Sequence, residues 1–400
     1  MAHATSAQPV GGPLLTRPYK WLLAFLGLWL VILFWRFAAG IGAVSGLTDG
    51  YPWGLWIAFD VVIGTALGCG GYAIAILAYI LNKGKYHPVV RPAILTSALG
   101  YSMAAIAIVI DVGRPWFIWR IPLGGWPDLG GYNWNSALLE VALCVMAYVI
   151  VLWIELSPAF LERWAETSSG WLQSLTRWGL KVVDKLLIWI VALGLLLPTM
   201  HQSSLGTVML LAGHKLHPMW NTGWLPLLFL ISCVGMGYGV VVWESAVSSA
   251  AFKRERETAM LTSLAGTIMV VNAIYLVLRL ADLVISGKTL MMFTSGIYSV
   301  MFWLEIAVFA APIVMFADRR RREQFGTMFR ASILLVLAGA LYRFDTYLVA
   351  YNPGPNWTYF PNLPELLITL GVIALEIALY IFIVKRFPIL AGVPAARSAH

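Results

Sequence analysis

Charged side chains are scarce in this chain of 400 residues. Asp, Glu, Lys and Arg make up 12% of it, whereas hydrophobic residues make up 60%. An ordinary soluble domain is about a quarter charged, so this composition excludes one and indicates an integral membrane protein. The 19 Trp and 16 Tyr residues fit a protein with many membrane–water boundaries, where amphipathic rings settle.

Cysteine and histidine are also scarce, and their spacing excludes several cofactor motifs. Cys69, Cys144 and Cys233 lie far apart in apolar stretches, so they form no iron–sulfur motif, zinc motif or disulfide framework. None of the six histidines lies in the middle of an apolar run, whereas a bis-histidine b-type haem needs a facing pair within the membrane. We therefore expect no haem, no iron–sulfur cluster and no metal in this chain, and an electron donor on another chain.

Long apolar runs predict about ten transmembrane helices in an all-α fold. A helix needs roughly 20 apolar residues to cross the hydrocarbon core. The polar first 20 residues contain no apolar h-region, so we expect no cleavable signal peptide. The predicted spans are residues 21–39, 55–81, 92–112, 135–156, 182–200, 224–248, 261–285, 298–316, 332–350 and 365–386.

The positive charge is distributed by side of the membrane. With the N-terminus inside, 20 of the 27 Lys and Arg residues fall in inside segments. The positive-inside rule then places residues 1–20 and 387–400 in the cytoplasm, on either side of one transmembrane domain, residues 21–386. The net charge of +8 thus reflects the orientation of the chain in the membrane, and we do not expect it to bind nucleic acid.

A weak internal repeat divides the transmembrane domain. Residues 95–100 (LTSALG) resemble residues 261–266 (LTSLAG), and the helix after each copy carries an early acid, Glu140 or Glu305. Both copies run in the same direction. The repeat predicts two pseudo-symmetric four-helix bundles, helices 2–5 (about 55–200) and 6–9 (about 224–350), with helices 1 and 10 flanking them.

Polar side chains gather toward the outside of the first bundle. Burying a charged group within a membrane costs free energy, so each such residue calls for a structural or functional explanation. Asp60 and Glu140 lie a short way into helices 2 and 4, Asp111 and His201 end helices 3 and 5, and Tyr101 lies deeper. Quinone reduction needs hydrogen-bond donors to two carbonyls and two protons from titratable groups. This arrangement therefore predicts a quinone site at His201, Asp60 and Asp111.

Structural interpretations stay open for several of these residues. Asp111 could form an ion pair with Arg114 at the helix end, and His201 could belong to a polar helix terminus. Glu244 and Glu376 could be steps of a proton path from the cytoplasm, although solvent contact explains Glu244 equally well on position.

In the second bundle, nearby arginines favour structural ion pairs. Arg279 and Asp282 are spaced i, i+3, and Arg343 lies two residues before Asp345. Glu305 has no arginine near it in sequence, although it could belong to the same network.

Several short motifs together resemble the HybB-type membrane subunit of periplasmic [NiFe] hydrogenases, within the NrfD or polysulfide-reductase membrane-anchor family. The resemblance runs from about residue 10 to 390. The motifs are residues 51–60 (YPWGLWIAFD), 69–71 (CGG), 86–92 (YHPVVRP), 110–114 (IDVGR), 197–204 (LPTMHQSS), 217–218 (HP) and 298–305 (YSVMFWLE). Residues 124–131 (GGWPDLGG) match no motif of that family.

The resemblance implies a cofactor-free, quinone-reactive anchor in the cytoplasmic membrane. It implies periplasmic partners: a large [NiFe] subunit, a small iron–sulfur subunit and a ferredoxin-like subunit that passes electrons from H2 to quinone. Family roles in proton transfer correspond to Glu140 and Glu244, with Tyr101 and Asp111 as companions.

Two other functions stay open at this point. The same anchor could serve a molybdopterin or multihaem oxidoreductase, which the neighbouring genes would reveal. A secondary transporter is a different class, since parallel repeats with intramembrane acids also occur there. Helices broken at mid-depth would favour a transporter; Gly64, Gly68, Gly70 and Gly71 come nearest to a break, but tight helix packing is their expected use.

Overall fold

The computed structural model describes residues 7–81, 83–124 and 130–393. Ten long helices make up most of this part of the chain. They are α1 Arg17–Ala39, α2 Trp56–Ile80, α3 Val90–Asp111, α4 Ala137–Thr167, α5 Trp171–Leu211, α6 Leu225–Phe252, α7 Thr258–Ile285, α8 Ile297–Ala317, α9 Phe325–Val349 and α10 Leu363–Arg386. Five residues of the unmatched 124–131 stretch, 125–129, lie outside the described residues, as do residues 394–400 of the C-terminal tail.

The helices confirm an all-α integral membrane protein with the predicted order of spans. Within the described residues, nine helices are long and apolar enough to cross a membrane, and each overlaps one predicted span. The tenth is α5, whose 41 residues contain the predicted fifth span behind a polar start. The backbone of Gln8 pairs with that of Leu390, so the two ends of the chain lie on one face. That arrangement requires an even number of crossings, which α5 completes.

Helix contacts group the chain as the repeat predicts. In the first bundle, α4 packs along α5 and α3, and α3 packs along α2. In the second bundle, α7 packs against α6 and α8, and α9 packs against α6 and α8. The two bundles meet where α6 contacts α5 and α2, while α1 and α10 pack together and α10 lies against α3. The axis that would relate the bundles stays a prediction.

Two membrane helices are irregular. Both ends of α2, Trp56–Ile63 and Ile76–Ile80, and the end of α9, Asp345–Val349, are π-helical, and a turn at Gly68 interrupts α2. π-Helical turns occur frequently at functional sites. Two of the three segments carry a buried acid, Asp60 or Asp345.

Small residues let the helices approach closely at these irregularities. A Cβ atom on Gly68 would lie 2.8 Å from the Tyr101 ring, and one on Gly100 would lie 3.2 Å from the Gly68 Cα atom. Across the bundle interface, a Cβ atom on Gly237 would lie 2.6 Å from the Cys69 carbonyl oxygen. The glycines thus serve tight helix packing, as the sequence suggested.

We predict that Gly237→Ala destabilises the protein by about 1–3 kcal/mol, because a backbone oxygen cannot move aside for the new methyl group. Gly266→Ala is the matched control, since a Cβ atom there would meet nothing within 4 Å. Thermal unfolding of both variants in the same detergent measures the difference. Equal melting temperatures for the two variants would contradict the close approach of α2 and α6.

Candidate functional site

His201 lies at the centre of the first bundle and is fully enclosed by protein. Its ring meets that of Tyr101 edge-on at a centroid distance of 5.6 Å, and Tyr101 meets Tyr148 at 4.5 Å. The Tyr101 hydroxyl lies 3.7 Å from the Cys69 sulfur. Neither His201 ring nitrogen has a hydrogen-bond partner among the described residues. Because α5 continues to Leu211, the alternative that His201 ends a helix is wrong.

Arg343 joins the two bundles beside this histidine. Its guanidinium donates to Gln202 Oε1 at 2.9 Å on α5, and to Ser232 Oγ at 3.0 Å and the Phe229 carbonyl at 2.9 Å on α6. The expected ion pair of Arg343 with Asp345 is wrong, since neither Asp345 oxygen has a partner in the described chain. Sequence spacing did not point to Gln202, whose partner lies 141 residues away.

Asp60 and Asp111 belong to a second polar region, around α10. Asp60 Oδ2 accepts a hydrogen bond from Thr369 at 2.7 Å. Asp111 ends α3 with its Oδ1 atom buried and unpartnered within the described residues. Among these residues, no hydrogen bond or ring contact joins either acid to His201. The structure therefore does not bring the three predicted quinone ligands into one contact set.

Arg36, rather than Arg114, accompanies Asp111. Arg36 is 2% exposed and donates to the carbonyls of Ile110 at 2.8 Å and Val112 at 2.9 Å, so it caps α3 from α1. Arg114 is exposed and forms no ion pair with Asp111 in the described structure. The predicted helix-end pair is wrong, because a cation from a distant helix occupies that position.

The outer loops are tied to the helix ends below them. The Tyr359 hydroxyl donates to Glu365 Oε1 at 2.5 Å, and the amide of Gly46 donates to Glu365 Oε2 at 2.9 Å. Burial and the hydrogen bond to Glu365 raise the pKa of Tyr359 above its ordinary value. The His217 ring stacks on Tyr298 at 4.2 Å, and burial lowers the pKa of His217. These contacts make the loops an ordered platform.

Glu140 lies beside the larger of two cavities. The cavity has a volume of about 430 Å³ and lies between the start of α4, the end of α5 and two outer loops. Glu140 stands in the first turn of α4, one turn beyond the N-cap residue Ser136, and is half-buried. The walls combine apolar and polar side chains: Pro52, Trp53, Asn133, Ser136, Ala137, Leu138, Val208, Leu211, Ala212, His214, Lys215 and Tyr351.

Glu244 is buried at the opposite end of the fold. It is 6% exposed and accepts a hydrogen bond from the Tyr380 hydroxyl on α10. Arg254 lies close enough to interact with it electrostatically and pairs with Glu257 at 2.9 Å. The alternative that Glu244 simply contacts solvent is therefore wrong.

Glu155 is an acid that the sequence reasoning missed. It lines a small cavity of about 10 Å³ with Tyr148, Tyr72 and Gly194, which is room for about one water molecule. Tyr148 in turn touches Tyr101, so a line of polar side chains runs from Glu155 to His201. Glu155 lies four turns after Glu140 on α4, and its place within an apolar run was the available signal.

The second bundle holds an ion pair that the sequence did not predict. Arg279 donates to Glu305 Oε1 at 3.1 Å, and both side chains are fully buried. Asp282, the expected partner of Arg279, instead accepts from Thr222 Oγ1 at 2.8 Å. The prediction that Glu305 belongs to the network is confirmed. The predicted Arg279–Asp282 pair is wrong, because α8 places Glu305 directly beside the Arg279 guanidinium.

The described residues contain no group of three or more His, Cys, Asp or Glu side chains that could hold a metal ion. The polar centres are built from acids, a histidine, arginines and hydroxyl groups. The described chain is thus a membrane bundle with buried acids, ordered loops and a cavity at one end.

The chain belongs to the family described as "Polysulphide reductase, NrfD", whose model matches residues 43–351. An Escherichia coli protein, "Probable Ni/Fe-hydrogenase 2 b-type cytochrome subunit", is 39% identical over 98% of this chain and 96% of its own length. "Menaquinone reductase, integral membrane subunit" of Nitratidesulfovibrio vulgaris is 28% identical over 86% and 84%. A selenate reductase subunit of Mesobacillus selenatarsenatis is 23% identical over 94% and 95%.

The name of the E. coli relative overturns one expectation. We expected a chain without haem, whereas a b-type cytochrome subunit is, by its name, a haem protein. The expectation is therefore wrong. It rested on the missing pair of histidines within the apolar runs, and a family can use axial ligands other than two histidines.

The described residues offer one well-placed axial ligand for such a group. His201 is buried in the first bundle with both ring nitrogens free of hydrogen bonds. No second histidine lies within a membrane helix of the described chain, since His87 is exposed and His214 and His217 follow α5. The described side chains thus do not fit a bis-histidine haem.

We predict that Arg279→Met destabilises the protein by about 3–5 kcal/mol, because it leaves Glu305 as an unpaired buried charge. The double variant Arg279→Met/Glu305→Leu should recover most of that loss, since both charges are then gone. Unfolding in detergent, followed by tryptophan fluorescence, measures all three proteins. A double variant as unstable as the single one would contradict the pairing.

Proposed function

We propose that this chain is the quinone-reactive membrane subunit of an oxidoreductase complex, and that its catalytic partner is a periplasmic [NiFe] hydrogenase. Electrons from H2 pass through the iron–sulfur clusters of the partner subunits to a quinone bound in this chain. Membership of the family and 39% identity to a Ni/Fe-hydrogenase subunit support the choice of partner. The name of the menaquinone reductase relative supports the choice of acceptor.

The cavity of about 430 Å³ beside Glu140 carries this proposal. Its volume falls in the range of small-molecule sites, which are mostly apolar with a few placed polar groups. Trp53, Leu138 and Leu211 provide flat and apolar walls for a quinone ring. Lys215 and Asn133 provide donors for its carbonyl oxygens.

Proton supply is the second requirement, since quinone reduction takes up two protons. Glu140 is the first donor in the proposal, because it stands one turn from the cavity wall. Tyr101 and His201 lie deeper, and we propose that they relay protons rather than contact the quinone. Glu244 with Tyr380 is the proposed uptake point on the other side of the membrane.

Asp60 and Asp111 keep a supporting role in this proposal. Both lie near α10, where Thr369 and Arg36 accompany them, and neither lines the cavity beside Glu140. We therefore propose that the quinone contacts the cavity walls rather than His201, Asp60 and Asp111. We propose that these three residues instead accept and release protons.

The proposed orientation follows the charge distribution. Both ends of the chain lie on one face, and that face carries most of the Lys and Arg residues of the loops. We propose that this face is cytoplasmic and that the membrane is the cytoplasmic one. The opposite face, with the cavity and the ordered loops, then meets the iron–sulfur partner.

A second candidate function has the same quinone site but a different catalytic partner. The names of the other two relatives, a menaquinone reductase and a selenate reductase, favour an anchor for a molybdopterin or multihaem enzyme. Purification of the intact complex from its own membrane distinguishes the two candidates. Nickel in stoichiometric amount supports the hydrogenase, and molybdenum or several c-type haems support the alternative.

We predict that Glu140→Gln slows hydrogen-dependent quinone reduction at least about tenfold, which corresponds to about 1.4 kcal/mol in the activation barrier. The amide keeps the shape of the side chain but supplies no proton. Glu166→Gln, an exposed position on the same helix, is the control and should leave the rate unchanged. An unaltered rate in an assembled Glu140→Gln complex would reject the role of Glu140.

We predict that Ala137→Phe raises the KM for a short-chain quinone at least about tenfold, because the ring fills space at the cavity wall. Hydrogen oxidation with an artificial dye that accepts electrons from the partner subunits should stay normal. Leu304→Phe, on the exposed surface of α8, is the matched control. A normal KM in Ala137→Phe would place the quinone elsewhere.

A further inference from the structure

The second bundle contains a group of buried polar atoms without hydrogen-bond partners in the described chain. Three are carboxylate oxygens, namely both of Asp345 and Oδ2 of Asp282. Three can donate, namely Nη2 of Arg279, Nε of Arg343 and the Tyr342 hydroxyl. Asp345, Arg279 and Tyr342 are fully buried, and Asp282 is 7% exposed.

These side chains surround one ion pair. Arg279 is bound to Glu305, which also accepts from the Tyr275 hydroxyl at 2.9 Å and from the Trp220 indole at 3.1 Å. The Arg279 guanidinium carbon lies 5.8 Å from the centre of the Tyr342 ring.

Asp345 lies within electrostatic reach of both members of the pair. It occupies the first position of the π-helical turn that ends α9.

The charges do not balance around Asp345. Arg279 is already paired with Glu305, and Arg343, whose partners are neutral groups on α5 and α6, forms no ion pair with Asp345 in the described structure. An ionised carboxylate without a cation or hydrogen bonds is very unfavourable inside a membrane protein. Asp345 therefore needs a proton, together with partners that can both donate and accept.

Water is the ligand that matches this set. An anion would suit Arg279 but would meet three carboxylate oxygens, and a metal cation would suit the carboxylates but would meet three donors. A water molecule donates to the acids and accepts from the guanidinium and the hydroxyl, and buried waters typically have two to four such partners.

We propose that Asp345 is the protonated acid of a second proton-exchange site, in which buried water molecules connect it with Asp282, Tyr342 and Arg279. This site lies in the second bundle, whereas the proposed quinone cavity and Glu140 lie in the first. It does not depend on which electron acceptor the complex uses.

Infrared spectroscopy of the purified complex in a lipid film tests this site directly. The carbonyl stretch of a protonated carboxylic acid is separate from the bands of ionised carboxylates. We expect Asp345→Asn to lose one such component at neutral pH, and we expect that component in the native protein to move to lower frequency after exchange into D2O. Asp318→Asn, at an exposed position, should keep the native spectrum.

Two results overturn the proposal. If Asp345→Asn keeps every protonated-acid component, Asp345 is ionised, as it would be around a bound cation. If its component is present but does not respond to D2O, the site is closed to proton exchange.

Tyr342→Phe provides a second test if Asp345→Asn fails to assemble. It removes only the hydroxyl, while the ring keeps its contacts with Tyr275 and Phe229. We expect the acid component to shift in frequency or to exchange more slowly. An unchanged component in this variant also overturns the proposal.

Discussion

Arg343 is the interaction on which the arrangement of the two bundles depends. A membrane interior contains no bulk water, so each polar group must find its partners inside the protein. Arg343 extends from α9 and binds Gln202 on α5 and Ser232 on α6. One side chain thus links three helices. Gln202 then holds Thr65 on α2 at 3.2 Å. Separating the bundles would break the bond between Arg343 and Gln202 and leave the Gln202 oxygen without a partner inside the membrane.

The same constraint applies to the two π-helical turns that carry buried acids. A π-helical turn leaves backbone groups out of the regular ladder and re-aims a side chain. In α2 it presents Asp60 to Thr369 on α10, and in α9 it presents Asp345 to the Arg279–Glu305 pair. Each distortion is tolerated because neighbouring helices surround it. Lipid could not supply the missing partners.

The sequence predicted the helices well and the partners of the acids poorly, for one physical reason. Insertion into a bilayer depends on the local length of an apolar run, so spans such as 365–386 could be predicted within two residues of α10. The partner of a buried charge depends on which helix packs beside it. Arg279 therefore pairs with Glu305 rather than with Asp282, and the arginine beside Asp111 is Arg36 rather than Arg114.

The wrong expectation about haem has a different origin. It was argued from histidines missing along the chain, and the name of a relative overturned it. Local sequence left solvent contact open for Glu244, and it could not show the cavity beside Glu140, since the walls of that cavity come from four separate parts of the chain.

The positions of Glu140 and Glu244 limit how the proposed complex could couple electrons to protons. Glu140 lies at the face with the cavity, and Glu244 lies at the face where both ends of the chain meet. Between them, the described polar side chains are connected in short groups, such as Glu155 with Tyr148 and Tyr101, and not as one unbroken chain. Proton transfer between such groups needs bridging water or side-chain rotation. The small cavity at Glu155 has room for about one water molecule, so it is a place in the first bundle where such a bridge could form.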